Sequence, residues 1–225
     1  MAILPTTFPT AAGAPVATYD YYDYADGTGH VIFYGAVSEA NGTKKYFLTT
    51  NAQPSNQIVT SGAVTSGGTG PLTYAKAVDV DFDLEFKQPQ IIEGTGRIIF
   101  TQGGSAPDTT AIKYVKAFVY FRKYDGTTET TLVSGATAST KILQYTNIPC
   151  NDTRNIGLVI PRTYFKKGDT LRTTIEIYGY GSVWTLHCGL GHDPDERAEP
   201  YAPKITVSGG YSTQMQVHIP FIRDT

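Results

Sequence analysis

Apolar and polar residues alternate with a period of two along much of the chain. Val78, Val80, Phe82, Leu84 and Phe86 alternate with Asp79, Asp81, Asp83 and Glu85. Leu171, Thr173, Ile175 and Ile177 alternate with Arg172, Thr174, Glu176 and Tyr178. Thr213, Met215, Val217, Ile219 and Phe221 alternate with Ser212, Gln214, Gln216, His218 and Pro220. Successive side chains of a strand point to opposite faces, so each run predicts one face for a core and one for solvent or a partner. Helical periodicity is nearly absent. Strand-like runs fall near 30–38, 44–50, 57–65, 73–87, 90–101, 112–124, 130–144, 155–160, 170–179, 182–188, 204–208 and 212–222, separated by Gly, Pro, Asn and Asp clusters. Many short strands at this spacing predict an all-β fold, a sandwich or barrel.

The run at 112–124 differs from the others. One face carries Val115, Ala117, Val119 and Phe121, and the other carries Ile112, Tyr114, Phe118, Tyr120 and Tyr124, interrupted by Lys116 and Arg122. Both faces are apolar enough to be covered. Two readings stand: a central strand packed on both sides within one chain, or a subunit contact through Tyr114, Phe118 and Tyr120. Aromatic residues and Arg are enriched at interfaces.

Residues 1–17 hold Pro5, Pro9 and Pro15 among Ala and Thr and have little helix or sheet potential. Extended, such a segment reaches roughly 55 Å at about 3.3 Å per residue. It is expected to be an N-terminal arm that docks on a neighbouring copy, with Pro5, Phe8 and Pro9 in the contact. Residues 18–225 are expected to form one domain, since no linker divides them; Ser61–Pro71 reads as a long Gly-rich surface loop.

Composition narrows the function classes. Of 225 residues only 17% are charged, and 18 basic against 20 acidic residues leave a net charge of -2. Phosphate neutralisation needs clustered Lys and Arg, so direct nucleic-acid binding is not expected, nor is binding to an anionic membrane. No apolar run approaches the ~20 residues of a membrane helix. The first residues lack a basic region followed by an apolar core, so no secretory signal is expected. Cys150 and Cys188 read as free thiols in preference to a disulfide.

Candidate chemistry is sparse. Asp79, Asp81, Asp83 and Glu85 line one strand face about 6.7 Å apart, too far to share one cation without help from other strands. That row reads as a solvated face, with an ion or basic-partner site as the alternative. His187, His192 and Asp193 lie in the densest group of metal-ligating types, but Gly189, Gly191 and Pro194 suit a structural loop. No metal or other cofactor is expected; a metal-dependent enzyme using those three residues is the third reading. There is no Gly-x-Ser-x-Gly sequence, and Gly94-Thr95-Gly96 lies between strands and reads as a bulge or tight bend. Tyr21, Tyr22 and Tyr24 form a cluster that either stacks on a sugar or docks the arm.

The segment from Tyr164 to Gly179, with Lys167-Gly168-Asp169 ahead of a strand, resembles a feature of jelly-roll domains. These include the trimeric complement and tumour-necrosis type and phage structural proteins. Gly191-His192-Asp193-Pro194 and Val217-His218-Ile219-Pro220-Phe221 are similar to endings of phage structural proteins. The resemblance implies an antiparallel jelly-roll sandwich and a virion component: capsid, decoration or minor structural protein. Such a component would not be an enzyme. It would be assembled in the host cytoplasm, with copies of itself and other virion proteins as partners. The alternative is a carbohydrate- or receptor-binding sandwich module of a fibre or secreted protein.

Overall fold

The computed structural model describes residues 17–18, 28–40, 43–50, 60–65, 74–105, 113–138, 140–141, 150–181, 185–191, 200–201, 205–206 and 215–222. All regular structure among them is β. The strands are β1 (Ala17–Thr18), β2 (Thr28–Ala40), β3 (Thr43–Thr49), β4 (Thr60–Thr65) and β5 (Ala75–Glu85). Then come β6 (Gln90–Ser105), β7 (Lys113–Tyr124), β8 (Glu129–Ala136), β9 (Thr140–Lys141) and β10 (Cys150–Phe165). The last five are β11 (Thr170–Gly181), β12 (Thr185–Gly191), β13 (Pro200–Tyr201), β14 (Ile205–Thr206) and β15 (Gln216–Ile222). Pro5, Phe8, Pro9, Tyr21, Tyr22, Tyr24, His192 and Asp193 lie outside the described residues, as does all of the expected arm except Ala17.

One hydrogen-bonded network folds over into two layers. In the first, the order is β10-β6-β15-β2, with β12 taking over from β15 along the far half of β6 and β4 beside β12. In the second, it is β5-β11-β7-β8. The layers are joined through β3, which pairs antiparallel with β2 but meets β5 in a single parallel bridge, Phe47 to Asp83. Every other pairing is antiparallel. Each layer thus mixes strands from distant parts of the chain: β2 and β15 lie side by side, as do β5 and β11.

The core lies between the layers. Phe82, Val119, Phe121, Leu171 and Ile175 of the second layer meet Ile92, Ile98, Phe100, Ile160 and Val217 of the first, all buried. The approach is close: a Cβ at Gly96 would stand 2.8 Å from Ile160 and 2.9 Å from Phe121, and one at Gly135 would stand 2.6 Å from Leu158. Small residues at these points let the layers touch.

Two chain crossings between the layers meet at one end. Between β10 and β11, Asp169 accepts a hydrogen bond from the Lys166 amide at 2.8 Å, and Gly168 takes φ +92°, a left-handed conformation that favours glycine. Between β5 and β6, Phe86 is tied to that turn. Its amide donates to the Asp169 carbonyl at 2.9 Å, and its carbonyl accepts from the Gly168 amide at 2.8 Å. The turn through Lys167-Gly168-Asp169, just ahead of β11, therefore staples two crossings together.

A crease runs across the first layer. Gly94 in β6 has φ +121°, the β10 register shifts between Ile160 and Thr163, and the β15 register shifts between His218 and Phe221. Pro161 and Pro220 sit inside those shifts. Proline has no N–H for a ladder, so within a sheet it is confined to edges and bulges. The bend expected at Gly94-Thr95-Gly96 is present and extends over three strands.

Candidate functional site

Among the described residues, the outward face of the second layer gathers most of the polar and aromatic side chains singled out from the sequence. It forms because β7, β11 and β5 run in register: Tyr120, Thr174 and Asp81 share one row, and Arg122, Arg172 and Asp83 the next. Val115, Ala117, Val119 and Phe121 point the other way and are buried in the core, as the alternation predicts. Tyr114, Phe118 and Tyr120 are half-buried on the outward face.

Two charge networks organise this face. In the first, the Glu176 carboxylate accepts hydrogen bonds from Tyr120 Oη at 3.1 Å, Tyr178 Oη at 3.0 Å and Lys76 Nζ at 3.2 Å. Lys76 also reaches Asp79 at 2.6 Å. Hydrogen bonding to Asp79 first, and then to Glu176, holds the Lys76 ammonium protonated well above the ordinary lysine range. Burial, and then the Glu176 carboxylate, push the Tyr120 and Tyr178 hydroxyls up. In the second network, Arg172 clasps Asp83 with Nε at 2.8 Å and Nη2 at 2.9 Å. Its Nη1 meets Glu129 at 2.7 Å, and Arg122 meets the same carboxylate at 2.8 Å. The planar guanidinium matches a carboxylate with two parallel bonds, which a lysine cannot do.

Rings fill the spaces between the charges. Lys116 Nζ lies 4.3 Å from the Tyr74 ring centre and 4.8 Å from that of Phe118. Arg122 covers Tyr120 at 4.5 Å, and Phe118 stands edge-on to Tyr178 at 5.2 Å. The polar face of β11, read from sequence as open to solvent or a partner, is instead largely covered by its own neighbours. Thr174 and Glu176 are buried and Arg172 is half-buried. The physical reason is that long side chains on both flanking strands lie flat across it. The acidic row of β5 does face outward: Asp79 and Glu85 are exposed, Asp81 and Asp83 half-buried. It lines a cleft of about 730 Å³ beside β3, with Lys45 and Lys87 on the rim. Sequence reasoning missed Arg172, Glu176 and Glu129 as members of the face; the polar alternation in β11 was the signal for the first two.

Of the metal candidates, His187 is in β12, opposite Ala63 of β4 and Ser105 of β6. Among the described residues no group of three or more His, Cys, Asp or Glu could hold a metal ion. Cys188 is a free, buried thiol whose pKa burial pushes up to about 12. The backbones of Cys150 and Cys188 flank Gly104 from opposite sides, two strand spacings or about 9.6 Å apart, beyond disulfide reach.

No family model matches the chain, and no curated protein matches it. Solved structures do. A CocE/NonD family hydrolase from Staphylococcus aureus aligns with 88% of this chain and 37% of its own, at 14% identity and a TM-score of 0.45. An aminopeptidase from a marine sediment Thaumarchaeota archaeon aligns with 85% of this chain and 37% of its own, at 9% identity and a TM-score of 0.45. The VP2 subviral particle of infectious bursal disease virus aligns with 85% of this chain and 48% of its own, at 12% identity and a TM-score of 0.28. The chain therefore spans less than half the length of each. A protein of a viral particle is thus among the structures that align with this chain, at a score too low to test the viral likeness expected from the late strands. The expectation that the chain is not an enzyme is corrected: a hydrolase and an aminopeptidase are among the structures it matches. At these TM-scores no activity and no partner passes from any of them to this chain.

Proposed function

We propose that this chain is a structural component of a viral particle, built as a jelly roll and assembled in many copies through its N-terminal arm and its outward sheet faces. The observation that carries the reading is the strand order. Taking the eight strands that make up the two four-stranded layers, β2, β5, β6, β7, β8, β10, β11 and β15, in sequence as one to eight, the layers run 1-8-3-6 and 2-7-4-5. Two facing four-stranded sheets wound as Greek keys make the jelly roll, an arrangement that viral capsid domains use and lectins share. A fold does not by itself assign a function, so the second support is chemical. Tyr114, Phe118 and Tyr120 lie among charges already paired within the chain, and internally paired charges cost less to bury against a neighbour than free ones.

Electron microscopy and sedimentation of the full chain test this. Regular oligomers or particles are expected, and dispersed monomers at every concentration would overturn the reading. Deleting residues 1–17 is expected to weaken the oligomers and leave the β signal in circular dichroism unchanged. A monomer that binds a glycan array would transfer the fold to its lectin use.

A further inference from the structure

The end of the sandwich that carries the stapled crossings holds an apolar cleft of about 430 Å³. Phe33 and Phe86 are buried in it, while Val31, Leu84 and Phe221 are half-buried. The Phe221 ring stands 6.3 Å from Phe33 and 6.2 Å from Phe86, so the lining is aromatic and continuous. Its charged residues, Glu85 and Lys87, bond to each other at 2.6 Å and leave the cleft without a net charge. This suits a neutral apolar occupant in extended form.

The chain itself supplies such a segment. Residues 1–16 contain no Asp, Glu, Lys or Arg, and their large apolar side chains are Met1, Ile3, Leu4 and Phe8. The register places the start of this segment in space: Ala17 pairs with Val31 and Thr18 with His30, so the arm begins beside the cleft wall. Pro15 has no N–H with which to continue that ladder. Phe8 stands nine residues ahead of Ala17, a reach of up to roughly 30 Å at about 3.3 Å per residue, and Pro9 and Pro15 give the stretch between them little helix potential. Val31 is at the tether itself. Such a span is long enough for Phe8 to reach the same cleft on a second molecule.

We propose that this cleft receives the Phe8-Pro9 stretch of the N-terminal arm of a second copy of the chain. The proposal rests on the reading of the protein as an assembling component and names where its arm docks. Exchange of identical segments between copies joins subunits without a new surface having to evolve on either.

The test places the photo-crosslinking residue p-benzoylphenylalanine at position 8 of the full chain, in an equal mixture of nitrogen-14 and nitrogen-15 protein. Mass spectrometry then reads which peptides are joined. Cross-links from Phe8 to residues 84–90 or 215–222, with mixed isotopes, are the expected result. Cross-links confined to one isotope, or mapping elsewhere on a protein that assembles, overturn the docking site and leave the assembly reading intact. A protein that stays monomeric overturns both. Phe8→Asp is expected to weaken self-association at least tenfold with unchanged circular dichroism. Unchanged association would also overturn the proposal.

Discussion

Thr173 is fully buried between Phe82 and Phe121, and its hydroxyl has no hydrogen-bond partner among the described residues. Burying an unpaired hydroxyl costs about 1–3 kcal/mol. Thr173→Val keeps the shape and removes the cost, so chemical denaturation should find the variant more stable by about 1 kcal/mol. Arg172 is the opposite case. Its two-pronged bond to Asp83 and its contact with Glu129 all depend on the guanidinium plane. Arg172→Lys keeps the charge and should still cost about 1 kcal/mol in the same measurement, because only a point charge remains. Asp169 sets a pH dependence. The Lys123 ammonium at 2.8 Å, and then the Lys166 amide, hold its carboxyl below the usual carboxylate range. A lowered native value gives stability that is present above the unfolded carboxylate value, near pH 4, and is lost as pH falls through the native one. The stability gap between the wild type and Asp169→Asn should therefore be largest near neutrality and close on acidification.

Elements were legible where alternation was clean. The runs through Val78–Phe86, Leu171–Ile177 and Met215–Phe221 predicted β5, β11 and β15, because one buried face forces the period. β10 was read as 155–160 and spans Cys150–Phe165. Its pattern changes phase at the crease: Leu158 and Ile160 are buried, then after the bulge Phe165. A single period cannot follow a strand that inserts extra residues. The second-layer face was half legible. Periodicity placed Tyr114, Phe118 and Tyr120 together, but Glu129 of β8 joins Arg122 and Arg172 through strand order, which no local pattern carries. Gly96 is the element-scale counterpart: a Cβ there meets Ile160 and Phe121 at under 3.0 Å, and both are core side chains with little room to move. Gly96→Ala should cost about 1–3 kcal/mol by overpacking, read as a lower denaturation midpoint with an unchanged slope.

For the whole molecule, the sandwich class followed from composition and strand count, while the order of strands in each layer did not. Sequence distance says nothing about which strands become neighbours when β2 ends up beside β15. That one adjacency has a consequence for how the protein comes into being. β15 is the central strand between β2 and β6, so the first layer stays open until residues 216–222 exist. β15 follows β2 by roughly 190 residues, and at about 5–20 residues per second the ribosome takes roughly 10–40 s to deliver it. Throughout that interval β2, and β6 once it has been made, lack the strand that joins them. Pairing of such distant strands is slow, in the range of milliseconds to seconds. Chains stalled before residue 215 should be degraded by a protease that spares the finished protein. Each copy is thus kept from completing its fold until residues 216–222 have left the ribosome.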